Sequence, residues 1–274
     1  MAGLSNQQIE QGVNTLVARN QSPIAGLGDA AWTYLLKFTA WHEGVVNRLY
    51  NNMGKPNVPN SDVTIGVGIS LPFKTSCRQY LSLFFVKDTN FTQPATLTQL
   101  EADWTLVDGM SRAFNSLDDF AQAVQTEITP QAALQGMVNF YAQNVPDRLN
   151  CPEFTNFAQW PAQARVALTS YCYGLTPKTS AGYAGAPAMR AALRDRNFDT
   201  AGLQSYISVW DSKKVRDHRV LFWNAARLLE QSARNMVIDT EWLPTKFDSS
   251  LEIIPLPGWV ALNPPPRPPD SAPP

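Results

Sequence analysis

The sequence predicts a mainly α protein of the α+β class, in which one small β-hairpin is set among many helices. Apolar residues recur at helical spacing over most of the chain. Several of these segments open on Ser5-x-x-Gln8, Thr96-x-x-Gln99, Thr129-Pro130 or Pro161. The first two spacings form capping boxes, and proline suits a first helical turn, whose N–H groups have no intrahelical partner. Against this background, Asp62-Val-Thr-Ile-Gly-Val-Gly-Ile69 alternates with period two. At 274 residues and 44% hydrophobic content, the chain can bury a sizeable core in one large or two modest domains.

In chain order, Ser5 to Arg19 predicts a helix with Ile9, Val13, Leu16 and Val17 on one face. A loop, Asn20 to Gly28, leads to a second helix over about Ala30 to Glu43, ended by Gly44 in the usual left-handed C-cap position. A polar loop rich in Asn, Gly and Pro precedes the alternating run. Pro72 suits the start of a helix with Cys77, Tyr80, Leu81, Phe84 and Phe85 as its stripe. Further helices carry Leu100, Trp104 and Val107, then Met137 and Tyr141, then Val166, Leu168 and Tyr171 up to Gly174, and a long one spans about Ser212 to Met236. Beyond Glu241 the helical pattern fades, and the segment ending NPPPRPPDSAPP favours polyproline II and cannot build a core. The expected organisation is a helical extension over 1–30, a main domain over 31–240 and a proline-rich tail over 241–274.

In the alternating run, Val63, Ile65, Val67 and Ile69 point one way, leaving Asp62, Thr64, Gly66 and Gly68 on the other. One acid, one hydroxyl and two glycines pack a core poorly but let a flat polar ligand approach the backbone, as the floor of a cleft. Glu43-Gly44, Tyr50 six residues after Gly44, and Thr64-Ile-Gly66-Val-Gly68 together resemble the signature of the phage-type lysozymes, the endolysin family of glycoside hydrolases. The resemblance spans about Trp32 to Arg234. It is densest at Glu43 to Gly68, and it takes in the apolar helix ending near Gly174 and the long basic helix after Ser212.

That resemblance implies a lysozyme-like fold, with a small β-hairpin lobe and a larger helical lobe. It also implies bacterial peptidoglycan as substrate and Glu43 as catalytic acid. Thr64 matches the third active-site residue, and Tyr50, Gly66 and Gly68 match the substrate side. The sequence departs from the family where the second carboxylate belongs, because that position is Asn52 and about six extra residues separate it from Thr64. Asn52 cannot act as a base and is placed with the substrate-binding residues. Asp62 is a true carboxylate two residues before Thr64, about 6–7 Å along the same strand face. With Asp62 facing the cleft the chain is a hydrolase; with Glu43 alone it is a lytic transglycosylase, or a wall-binding module without turnover. On the long helix, Arg216 or Arg219 either reaches the cleft to hold Glu43 or lies at the surface.

Lys and Arg total 22 against 23 Asp and Glu, so no general attraction to nucleic acid follows. The Arg190 to Arg227 stretch is locally basic, either a face for a polyanion such as the wall or a solvated helix surface. Cys77, Cys151 and Cys172 are too scattered for a disulfide framework or a zinc site and fit buried thiols, so neither metal nor cofactor is expected. A serine nucleophile would need His42 or His218, the two histidines, and no Gly-x-Ser-x-Gly elbow is present. No signal-peptide pattern opens the chain, and no apolar run suits membrane insertion. The expected setting is synthesis in the cytoplasm and action on the wall after export by another system. That fits an endolysin, or an antibacterial effector served by a secretion apparatus and paired with an immunity protein.

Overall fold

A computed structural model of the chain describes residues 4–19, 21–51, 63–110, 114–174, 186–205, 212–233, 239–247 and 251–252. Among these residues it is mainly helical with two small antiparallel sheets, compatible with the α+β class. The chain forms two compact units: Met1–Asn20 with Thr39–Phe140, and Gln21–Phe38 with Tyr141–Pro274.

In the first unit, α1 (Asn6–Val17) starts at Ser5, whose hydroxyl accepts from Gln8 N while the Gln8 side chain accepts from Ser5 N at 2.9 Å. Ile9, Val13 and Leu16 are buried, and Leu4 N donates to Val45 O at 3.1 Å. Gly12 lies under Leu134, whose Cδ1 would be 2.4 Å from an added methyl. Of the expected 1–30 extension, α1 therefore belongs to this unit's core, whereas 21–30 fall in the second unit. Helical spacing shows that α1 has an apolar face but not what that face meets.

β1 (Val46–Asn51), β2 (Val63–Gly66) and β3 (Ile69–Ser70) form an antiparallel sheet in that order. The expected single strand through Ile69 is instead a hairpin. Gly66 and Gly68 turn it with φ of +66° and +68°, a backbone that side chains disfavour. Ile65 faces Ile69 across the hairpin, and both line an apolar crevice with Ala133 and Gly136 of α5 (Pro130–Leu149).

The stretch from Pro72 to Phe85, expected as one helix, forms 3₁₀ turns at Lys74–Gln79 and Leu81–Leu83. A strand follows, β4 (Phe84–Val86), paired with β5 (Thr126–Ile128). The partner strand is far downstream, so the pairing overrides the local helical spacing. Asp103 on α3 (Leu97–Asp108) fixes β5: although buried, it accepts from Thr126 N at 2.8 Å, Thr126 Oγ1 at 2.6 Å and Gln125 N at 3.0 Å. Asp103→Ala leaves these donors without their acceptor. It is expected to lower stability by about 2–4 kcal/mol, seen as a lower urea midpoint, whereas a loss under about 0.5 kcal/mol would make the carboxylate dispensable. Before α5 comes α4 (Leu117–Ala123), capped by Ser116 and Asp119.

The second unit contains α6 (Ala162–Tyr173), buried along its whole length, then α7 (Pro187–Arg194), α8 (Phe198–Gln204) and α9 (Ser212–Ala233). Gly202 lets α8 approach α9, since an added methyl would sit 3.2 Å from Arg219 O. Arg165 on α6 donates to Gly26 O at 2.7 Å and Leu27 O at 2.8 Å and pairs with Glu241. Farther along, Ala162 N donates to Thr240 O at 2.8 Å and Asn224 Nδ2 to Glu252 O at 3.0 Å, with Phe247 and Leu251 buried. The expected tail boundary at 241 is thus too early: the packed chain reaches at least Glu252, and Ile254 to Pro274 lie outside the described residues.

Candidate functional site

The first unit brings Glu43 to the glycine hairpin. Glu43 is the last residue of α2 (Asp29–Glu43), and Gly44 follows with φ +72°, reversing the chain into β1 within two residues. Among the described residues, its two chain neighbours apart, no heavy atom lies within 4 Å of where a Gly44 side chain would begin. At the far end of the hairpin, a methyl added to Gly68 would lie 3.2 Å from Glu43 Oε2, 3.5 Å from Cδ and 3.6 Å from Cγ. The carboxyl group therefore lies over Gly68, in a space that a side chain there would crowd. Glu43 itself is half-buried, and the two residues before it, Trp41 and His42, meet edge to face at 4.7 Å.

The remaining residues of the motif divide into exposed and covered positions. Tyr50 pairs with Thr64 across β1 and β2, and Thr64 pairs with Ser70 across β2 and β3, so the three side chains form one cross-strand row. Tyr50 and Thr64 are buried, Thr64 being only 2% exposed, whereas Ser70 is exposed. Gly66 is packed against α5, with Ala133 O 3.4 Å from an added methyl. The glycine-and-hydroxyl face expected as an open floor is therefore covered at Thr64 and Gly66 and open toward Gly68 and Ser70. Asn52 and Asp62 lie outside the described residues.

Arg216 belongs to the second unit, on α9, where its Nη2 lies 3.3 Å from the fully buried Asp217. Other members of the basic stretch also have acidic partners: Arg190 with Glu153, Arg194 with Asp195, and Arg227 with Asp199 and Glu230. Such pairing leaves less unopposed charge for a polyanion than the sequence count suggests.

Two further groupings have nucleophile chemistry in principle. His218 Nε2 lies 2.9 Å from Ser170 Oγ, while Nδ1 lies 2.8 Å from Lys214 O. Both residues are buried, and the imidazole meets the Phe38 ring at 5.3 Å, so the pair ties α6 to α9 away from solvent. The three cysteines are free and buried. Burial pushes the Cys77 thiol up to about 11 and the Cys172 thiol up to about 12, which keeps both protonated and unreactive at neutral pH. Spacing along the sequence showed neither the Ser170–His218 pair nor the exposure of Ser70, because both depend on contacts between elements.

No protein-family model, curated protein or solved structure matches the chain.

Proposed function

We propose that this protein is a lysozyme-like muramidase that cuts the glycan strand of bacterial peptidoglycan, with Glu43 as general acid. The observation that carries this proposal is the seating of the Glu43 carboxyl group on Gly68, which joins the two halves of the motif in one place. Cleaving a glycosidic bond requires a proton for the departing oxygen and a second group to meet the cationic sugar. A half-buried carboxyl group at a helix end, beside backbone stripped of side chains, suits the first task. Asp62 is assigned the second, as the base that activates water. The proposed setting is the cell wall, reached through a secretion apparatus or as an endolysin, with an immunity protein protecting an effector's producer.

Purified sacculi test the proposal. The protein is expected to clear a sacculus suspension and release soluble fragments with ordinary reducing ends. Fragments lighter by one water, with anhydro ends, would replace hydrolysis by transglycosylation, and tight binding without release would leave a wall-binding module. In cells, the chain is expected to be tolerated in a bacterial cytoplasm and to cause lysis when an added signal directs it to the periplasm. Equal toxicity in both compartments would rule out the wall as its target.

A further inference from the structure

We infer that Ser70 supplies a glycan-binding hydroxyl at this site, holding the sugar next to the bond that is cut. The inference rests on the proposed muramidase activity. Ser70 is the exposed end of the Tyr50, Thr64 and Ser70 row, on β3 at the edge of the sheet. Thr64, the hydroxyl that the motif points to, is 2% exposed and does not present itself to a ligand. Ser70 lies two residues beyond Gly68, so its Cα is at most about 7 Å from the glycine that carries the Glu43 carboxyl group. Among the described residues no hydrogen bond uses the Ser70 hydroxyl, which leaves both its donor and its acceptor capacity for a ligand. Sugar hydroxyl and acetamido groups match that capacity. The opposite side of the hairpin, Ile65 and Ile69, is packed on α5 and offers no such group.

The test uses full-length protein and uncross-linked glycan strands as the soluble substrate, comparing the parent, Ser70→Ala, Ser70→Thr and Glu43→Gln. Losing one neutral hydrogen bond to bound substrate predicts a KM about 2- to 12-fold higher for Ser70→Ala, with kcat little changed. Ser70→Thr keeps the hydroxyl on a strand-compatible side chain and is expected to retain the parent KM. A purely structural role for Ser70 would move the melting temperature and not this split. Parent-like KM in Ser70→Ala, with Glu43→Gln inactive, overturns the role of Ser70 and leaves the muramidase proposal standing. No cleavage by the parent, or full activity in Glu43→Gln, overturns both.

Discussion

Glu43→Gln is expected to cut the release of soluble glycan fragments by about 10²–10⁴-fold, the usual worth of a general acid, while leaving the melting temperature unchanged. The two outcomes separate because of how the side chain is held. Its Cγ, Cδ and Oε2 atoms form the surface that meets Gly68, and glutamine reproduces that shape and can still hydrogen-bond. What it lacks is a proton to give to the departing sugar oxygen. Because the substitution removes chemistry and not packing, kcat is expected to fall while affinity for glycan persists. Activity within a few-fold of the parent would reduce Glu43 to a helix-end residue. A joint fall in activity and melting temperature would mean that its contacts, not its proton, had been lost.

What could be read from the sequence was whatever local chemistry decides. Ser5 and Gln8, Thr96 and Gln99, and Thr129-Pro130 mark the starts of α1, α3 and α5 because a cap is satisfied within one turn of chain. Gly44 marks a reversal because it adopts positive φ, whereas Gly66 and Gly68, expected within one strand, turn the hairpin. Where distant segments decide, the sequence misled. Phe84 and Phe85 fit a helical stripe, yet they pair with Ile128 and Glu127. Glu241 and the residues after it have no helical pattern, yet Arg165 holds Glu241 and Asn224 holds Glu252. The site divides in the same way. The approach of Glu43 to the glycine hairpin follows from the motif, whereas the covering of Thr64 and the exposure of Ser70 depend on which elements pack over the sheet. No alternation along one strand can show that.

Gly68→Ala is expected to reduce turnover by about 3- to 10-fold, and Gly44→Ala is the comparison that gives this result its meaning. Both glycines have positive φ, +68° and +72°, so alanine at either costs about 1–2 kcal/mol of backbone strain. Their surroundings differ. Among the described residues, chain neighbours apart, nothing lies within 4 Å of a methyl at Gly44, while a methyl at Gly68 meets Glu43 Oε2 at 3.2 Å. That contact is tighter than ordinary packing, and the flexible end of the glutamate is the part free to yield. Yielding moves the carboxyl group by a few tenths of an ångström, and since a displacement near 1 Å can cost about 10²-fold in rate, the expected loss is about 3- to 10-fold. The two variants should therefore lose similar stability in a denaturant titration, yet only Gly68→Ala should lose most of its fragment release. Gly68→Val, with a larger and stiffer side chain at the same point, should lose more. Equal activity in Gly44→Ala and Gly68→Ala would show that the contact between Glu43 and the hairpin does not set the position of the reacting carboxyl group.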